Sequence, residues 1–353
     1  MSNGPLVFIT GATGHIGFAI LVLLLKKGYR VRVSSRKLAT AQKLNDLPSV
    51  KPYADQVSFV ETPDAFADAA YDDAVKDVDY IVHVASPLPD DSQTDPDFDV
   101  EQTYIAPAIQ GNLGLLKAAQ RSPTVKRVVI TSSVAILAKK EGRDTVGPDD
   151  LAPVPEVKDI PKHPLAAYAA SKILANAAAE DFVKTHKKLH FDVVHILPGY
   201  VQGRNEPVTS SRQLVDRPSS NQTMIKFLLG HKDDTPRPND VVLLDDVAAV
   251  HVAAMEGPDI KTGERFIAAY PLPVSWVDVE RVVKRLFPRQ VERGILPLGG
   301  ECPDWALHFD PSKTTQRLGV EFHGIEDMVK SLVGQYVELV EKERRTGTQS
   351  TAA

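Results

Sequence analysis

Tyr168 and Lys172 lie four residues apart in the alanine-rich stretch AAYAASKIL, residues 166–174. On a helix this spacing places both side chains on one face, about one turn apart. An ammonium group near a phenol stabilises the phenolate and lowers a pKa that starts near 10. Such a phenol can exchange a proton with an alkoxide near neutral pH. Because Tyr-x-x-x-Lys is also common by chance, the pair alone fits an ordinary surface helix equally well.

A hydroxyl partner for this pair occurs earlier in the chain. Residues 131–133 read TSS and end the β-branched stretch KRVVITSS, residues 126–133. In open α/β sheets, ligands bind at the carboxyl ends of the strands. We therefore predict that a hydroxyl of this stretch faces the same ligand site as Tyr168 and Lys172.

The stretch TGATGHIG, residues 10–17, has the pattern of a dinucleotide-binding turn between a strand and a helix. Glycines at these positions allow a tight turn, close approach to a pyrophosphate and close packing of the helix on the strand. The helix N-terminus then offers amide donors to the phosphates. His15 fits either a phosphate contact or an exposed position. The predicted contacts of the turn are Thr10, Gly11, Thr13, Gly14, His15, Ile16 and Gly17.

The residues after the second β-branched stretch indicate which dinucleotide binds. An NAD site typically has a carboxylate there, which binds the adenosine ribose. This chain instead has two serines, then Arg36 and Lys37, with Lys43 further on. A guanidinium can bind the 2′-phosphate of NADP with two parallel hydrogen bonds. We predict NADP(H), bound by Arg36 and Lys43; a merely solvated Arg36 is the alternative.

Two further segments follow predicted strands. Asp64 could accept a hydrogen bond from the adenine amino group; Glu61 is the competing residue, and either could instead cap the next helix. The sequence HVASP, residues 83–87, offers small residues, including Ala85, that let the backbone pass close to the cofactor.

The first half of the chain alternates strand-like and helix-like stretches, and this order positions the motifs. Parallel strands need crossover helices, so the alternation predicts an α/β fold with a Rossmann-type, doubly wound parallel sheet. The strand-like stretches are 6–10, 29–35, 56–61, 80–86, 126–133 and 191–198. The helix-like stretches include 38–47, 101–121 and 165–186.

The alternation changes after Gly199, and we predict a smaller C-terminal α/β substrate lobe. Residues 203–222, rich in Ser, Arg, Asn and Pro, are predicted to form a loop. Strands at 240–246 and 264–269 and helices at 246–256, 274–287 and 325–343 should follow. The acidic stretch 90–99 and the stretch 148–164 are predicted to be solvated connections that could also rim a pocket. The predicted divisions are an NADP-binding domain over 1–200, to which later segments return, a mainly substrate-binding lobe over 201–343 and a disordered tail over 344–353.

Composition excludes several classes of protein. The 353 residues carry a net charge of −5, so we expect no nucleic-acid or membrane surface. Cys302 is the single cysteine, which excludes an internal disulfide, and the histidine spacing predicts no metal site. The longest apolar run, 18–25, is shorter than the roughly 20 residues of a membrane span. The N-terminus lacks a secretion signal, and we expect a cytoplasmic protein whose partner is a small molecule.

Taken together, these motifs resemble the extended short-chain dehydrogenase/reductases over nearly the whole chain. The similarity is greatest to the branch of dihydroflavonol reductases, cinnamoyl-CoA reductases and fungal or yeast aldehyde, ketone and methylglyoxal reductases. The stretches that carry it are TGATGHIG, SSRK, HVAS, PAIQGNLGLLKAA (107–119), VKRVVITSS, YAASK, LPGYVQG (197–203) and LLDDVAAVHVAAM (243–255).

The resemblance implies an NADPH-dependent carbonyl reductase that reduces an aldehyde or ketone by hydride transfer. Tyr168 would be the general acid, and Lys172 would lower its pKa and bind the nicotinamide ribose. Ser133 would hold the substrate oxygen, with Ser132 facing the cofactor. The implied nicotinamide contacts are Pro198, Gly199 and Val201.

Two segments depart from the family's pattern. ETPDA replaces the usual acidic–Leu pair, which makes Asp64 an uncertain match, and Gly203–Arg204 replaces a Gly-Pro pair. Arg204 could face an anionic substrate group, and Tyr200 is a candidate for lining the substrate pocket. Two other functions fit the fold: a nucleotide-sugar epimerase or dehydratase, which Arg36 disfavours, and a non-catalytic NADP-sensing regulator, which the retained Tyr168 and Lys172 disfavour.

Overall fold

The structure is a computed structural model that describes residues 4–65, 67, 69–88, 98–186, 188–305 and 307–347. Most of the acidic stretch 90–99 and the end of the predicted tail lie outside the described residues. The strands are β1 (Leu6–Thr10), β2 (Arg30–Ser35), β3 (Val57–Glu61), β4 (Tyr80–His83), β5 (Arg127–Thr131), β6 (Asp192–Pro198), β7 (Tyr200–Gln202), β8 (Arg237–Pro238), β9 (Val241–Leu243), β10 (Arg265–Ala268) and β11 (Asp304–Trp305). The α-helices are α1 (His15–Lys26), α2 (Leu38–Gln42), α3 (Ala106–Arg121), α4 (Pro164–Thr185), α5 (Ser211–Asp216), α6 (Ser220–Leu228), α7 (Leu244–Glu256), α8 (Trp276–Leu286), α9 (Pro288–Glu292), α10 (Ser312–Leu318) and α11 (Ile325–Thr346).

A seven-stranded parallel sheet with the order β10-β6-β5-β4-β1-β2-β3 forms the centre of the molecule. The strand order reverses between β1 and β4, where Thr10 and His83 are in register at the carboxyl ends. Ligands of open α/β sheets bind at such a switch point. The predicted Rossmann-type sheet is therefore confirmed, and it fixes where the site should lie.

Helices cover both faces of this sheet. Along β1, Val7 and Ile9 point into one apolar cluster and Leu6 and Phe8 into another, because successive side chains of a strand alternate. Helices α1 and α7 pack on the first face, and α3 and α4 pack on the second. All five residues of β1 are buried, as expected for a parallel strand covered on both sides.

A second apolar cluster forms a separate lobe from two parts of the chain. Met224 and Ile225 of α6 join Trp276 of α8 and Leu332 and Val333 of α11 in this core. Between these parts, the chain returns to the main sheet, where α7 packs on α1 and β10 pairs with β6. The lobe is thus built from segments on either side of β10.

The predicted loop over 203–222 is wrong, because this segment contains α5 and the start of α6. The hydroxyl oxygens of Ser210 and Ser219 accept hydrogen bonds from the amides of Gln213 and Gln222, respectively. Ser-x-x-Gln is a helix-start pattern, so serines taken as loop formers are N-caps.

Two helices also end elsewhere than predicted. Helix α11 continues through Thr346 and ends at Gly347, whose positive φ of 68° suits a glycine cap, so residues 344–346 are helical. Helix α2 ends at Gln42 and continues as a 3₁₀ turn over Lys43–Asp46. Among the described residues, no helix is both long and apolar enough to cross a membrane.

Candidate active site

The glycine turn forms a backbone cradle at the switch point. Gly11 has a φ of +73°, and a Cβ there would lie 2.8 Å from the amide nitrogen of Ala85. A Cβ on Gly17 would lie 2.2 Å from the carbonyl oxygen of Gly11, so only glycine lets α1 pack this closely on the turn. Helix α1 begins without a side-chain cap and has no acidic residue in its first turn. Its free amides and positive dipole end therefore suit a pyrophosphate.

Thr10 ties this turn to the end of β4. Its hydroxyl oxygen accepts hydrogen bonds from the amides of Val84 and Ala85 at 3.1 and 3.2 Å. The hydroxyl proton is then left for Nδ1 of His83, 2.7 Å away, which makes Nδ1 the acceptor. Burial, together with the nearby charge of Lys172, lowers the pKa of His83 to about 4, so this histidine is neutral.

Ser133, Tyr168 and Lys172 come together at the carboxyl end of β5. The Nζ atom of Lys172 lies 5.7 Å from the centroid of the Tyr168 ring and donates to the carbonyl oxygen of Thr131 at 3.4 Å. The Ser133 side chain hydrogen-bonds Tyr168, and its oxygen also accepts from the amide of Ala135 at 3.1 Å. The strand end and one face of α4 thus place a hydroxyl, a phenol and an ammonium group around one point.

The pKa values of this group differ from the expectation. Burial raises the pKa of Tyr168, and the hydrogen bond from Ser133 opposes this only in part. Burial also lowers the pKa of Lys172 to about 8. The predicted lowering of the phenol pKa by Lys172 is therefore not seen; the phenol stays protonated at neutral pH, as a proton donor requires.

A small cavity adjoins Lys172. It measures about 10 Å³, room for one water molecule, and Ser132, Asn112, Asn176 and His195 line it. The Nδ1 atom of His195 and the Oδ1 atom of Asn176 are buried without a protein partner in the described structure. Sequence reasoning missed Asn176, although it continues the four-residue spacing of Tyr168 and Lys172 along α4.

The edge formed by β2 and β3 carries the predicted 2′-phosphate residues. The side chains of Arg36 and Lys43 are exposed, and neither has a partner among the described residues. The buried hydroxyls of Ser34 and Thr62 lie 2.6 Å apart beneath them. Glu61 instead accepts a hydrogen bond from the amide of Leu38 at 3.3 Å, so it caps α2, the helix before it in the chain.

The remaining predicted cofactor contacts differ in how far they are exposed. Val201 is buried in the main core, and Ile16 packs against that core with its side chain partly exposed. Thr13, Gly14 and Asp64 are exposed, the first two at the tip of the turn and Asp64 beyond β3. A Cβ on Gly199 would lie 2.2 Å from the carbonyl oxygen of Asp240, which explains glycine after Pro198.

The predicted substrate contacts Tyr200 and Arg204 are bound to the smaller lobe. The Tyr200 hydroxyl lies 2.6 Å from the hydroxyl of Thr223 on α6. Arg204 forms an ion pair with Glu338 of α11 at the surface.

His15 lies between the glycine turn and the smaller lobe. Its Nε2 atom lies 3.1 Å from the carbonyl oxygen of Gly203, and burial lowers its pKa to about 4. The imidazole is therefore neutral and half-buried against the smaller lobe, and it brings no positive charge to a phosphate.

Comparison with known proteins agrees with this arrangement. Residues 7–269 match the NAD dependent epimerase/dehydratase family. The chain belongs to this family. The match spans the glycine turn, the Tyr168–Lys172 pair and the seven strands of the main sheet, and it confirms the predicted membership.

Several relatives that are similar over nearly the full length are reductases by name, and others are named NAD-dependent epimerase/dehydratase. A ketoreductase of Cercospora nicotianae is 36% identical over 98% of this chain and 99% of its own length. A ketoreductase of Aspergillus fumigatus is 32% identical over 95% of this chain and 98% of its own length. Yeast methylglyoxal/isovaleraldehyde reductase, solved in complex with NADPH, shares the fold with a TM-score of 0.78 at 23% identity, over 96% of this chain and 99% of its own.

Proposed function

We propose that the protein is an NADPH-dependent carbonyl reductase that converts an aldehyde or ketone into an alcohol. The observation that carries this proposal is the grouping of Ser133, Tyr168 and Lys172 beside the glycine turn. The names of the full-length relatives, two of them ketoreductases, support the same reaction class.

The backbone cradle fits a dinucleotide. Gly11 and Gly17 leave room that any side chain would fill, and the uncapped start of α1 offers amides to a pyrophosphate. Two serines and the unpaired Arg36 at the end of β2 favour NADP over NAD, because no β2 carboxylate repels a 2′-phosphate. When bound, NADPH supplies the hydride that reduces the carbonyl carbon.

The protein's own residues handle the proton. The hydroxyl of Ser133 donates a hydrogen bond to the carbonyl oxygen, and the phenol of Tyr168 gives that oxygen its proton as the C–O π bond breaks. The Lys172 ammonium, which donates to the carbonyl of Thr131, lies 5.7 Å from the centroid of the Tyr168 ring, on the side where the phenolate forms. Tyr168 regains a proton from solvent, so one hydride and one proton account for the alcohol.

The test is the substitution Tyr168→Phe, assayed by NADPH oxidation with α-diketones, ketoesters, aromatic aldehydes and ketones. The variant should bind NADPH normally, as followed by fluorescence titration, and lose about 100- to 10,000-fold in kcat, the usual contribution of a general acid. Tyr29→Phe is a matched control, because the Tyr29 hydroxyl bonds Glu256 at the far end of α1. Full turnover by Tyr168→Phe would refute the assignment.

A further inference from the structure

His15 connects the predicted dinucleotide turn to the smaller lobe. It is the first residue of α1, and its Nε2 atom lies 3.1 Å from the carbonyl oxygen of Gly203. The same carbonyl accepts a hydrogen bond at 2.7 Å from Nδ2 of Asn221, which lies 3.3 Å from the His15 ring nitrogen. Three polar groups from three parts of the chain therefore meet beside the turn.

The hydrogen-bond geometry defines what each group does. A neutral imidazole with its proton on Nε2 donates to Gly203, and Asn221 donates to the second lone pair of that carbonyl. The Oδ1 atom of Asn221 accepts from the amide of Gly203 at 3.0 Å. Asn221 is only 2% exposed, and both ends of its amide group bond Gly203. With the His15 proton on Nε2, Asn221 is linked to His15 through the shared Gly203 carbonyl and not by a direct hydrogen bond.

Gly203 lies in a short segment, residues 200–204, that we call the connecting segment. Tyr200 of this segment bonds Thr223 of α6, and the side chain of Gln202 donates to the carbonyl oxygen of Ser220 at 3.0 Å. The connecting segment follows β6 and Gly199 directly, at the carboxyl edge of the sheet. The first turn of α6 is therefore attached to the connecting segment, and through the carbonyl of Gly203 to His15.

We propose that His15 is a positioning residue that couples dinucleotide binding at the turn to the placement of the connecting segment and α6, and thereby to carbonyl affinity. The backbone at His15 would hold the dinucleotide phosphates while its side chain holds Gly203. Binding at the turn fixes one end of this link, so NADPH should further restrain the connecting segment and α6. The carbonyl part of this inference rests on the proposed function.

The first experiment needs no turnover. Hydrogen–deuterium exchange is measured with and without NADPH in the wild type, His15→Phe and His15→Gln. In the wild type, NADPH should slow exchange in residues 10–20 and also in 199–205 and 219–228. In His15→Phe, slowing should persist in 10–20 and be lost in the other two segments. His15→Gln, which keeps a side-chain N–H donor, should restore the slower exchange in residues 199–205 and 219–228.

The second experiment separates KM from kcat at saturating NADPH. Losing one hydrogen bond typically costs about three- to tenfold in an equilibrium constant, so His15→Phe should raise the carbonyl KM by that factor. Its kcat should change less than its carbonyl KM. Asn221→Ser should raise KM similarly, and the double variant should add little, because both residues act through one link.

Two results would overturn the coupling. One is equal NADPH-dependent protection of 219–228 in wild type and His15→Phe, including the case where neither shows any. The other is an unchanged KM in a folded variant, with Lys26→Ala, an exposed change on the same helix, as the control. Absence of carbonyl reduction by the wild type would refute the proposed function instead, and the exchange experiment would still decide the role of His15.

Discussion

Replacing Lys172 by methionine should stabilise the fold while it removes activity. Lys172 is only 6% exposed, and burial lowers the pKa of its ammonium from 10.5 to about 8. At roughly 1.4 kcal/mol per pKa unit, keeping this charge buried costs about 3 kcal/mol below pH 8. Methionine fills a similar volume without a charge, and the bond it loses, to Thr131, is long at 3.4 Å. We expect the free energy of unfolding to rise by about 2–3 kcal/mol at pH 7.

The stability that Lys172→Met gains should decrease as the pH rises. Between pH 8 and 10.5 the folded wild type has released the Lys172 proton while the unfolded chain still holds it. The unfolded state then binds more protons, so wild-type stability increases with pH relative to the variant. The advantage of Lys172→Met should thus be full below pH 8 and vanish near pH 10.5.

The assay is urea unfolding of both proteins at several pH values from 7 to 10.5, with carbonyl reduction measured in parallel. Lys126→Met is the matched control, because Lys126 is an exposed lysine paired with Asp79 and should change stability by less than about 1 kcal/mol. If the stability difference between Lys172→Met and wild type is constant from pH 7 to 10.5, or if Lys172→Met is less stable at pH 7, burial of the Lys172 charge does not destabilise the fold as we infer. A stable, fully active variant would refute the role of Lys172 in the reaction.

Two further substitutions test the dinucleotide site. Arg36→Ala should weaken NADPH binding by about tenfold or more and leave NADH binding nearly unchanged, since a charge-assisted bond to a 2′-phosphate is worth about 1.5–3 kcal/mol; equal effects on both Kd values would exclude Arg36 as the phosphate reader. Gly17→Ala should lower the melting temperature and the NADPH affinity, because its Cβ would meet the Gly11 carbonyl oxygen at 2.2 Å. Gly334→Ala, in open space on α11, should instead stabilise the protein by about 0.5–1 kcal/mol.

Local patterns predicted the elements that hold the site, but they misplaced some of their ends. The alternation of apolar runs located β4, yet the predicted strand 80–86 stops at His83. The strand ends there because the amides of Val84 and Ala85 donate to the hydroxyl of Thr10 and not to a neighbouring strand. These contacts join residues 74 and 75 positions apart in the chain. Spacing likewise located Tyr168 and Lys172, because four residues on a helix imply one face whatever the rest of the chain does.

Features set by distant contacts could not be predicted in this way. Arg204 pairs with Glu338 and His15 with Gly203, contacts that span 134 and 188 residues. The pKa of Tyr168 depends on how completely the fold buries it, which no spacing reveals. The caps of α5 and α6 were readable from Ser-x-x-Gln, but a serine-rich composition pointed towards a loop.

The return of the chain to the main sheet constrains how the protein can be made. Strand β10 is the edge strand beside β6, and α7 covers α1, so the nucleotide-binding half lacks a strand and a helix until residue 268 has been synthesised. The core of the smaller lobe needs α11 as well, close to the C-terminus. During translation, the apolar face of α1 and the edge of β6 therefore stay uncovered until β10 has left the ribosome. The core of the smaller lobe cannot form completely before nearly the whole chain has emerged.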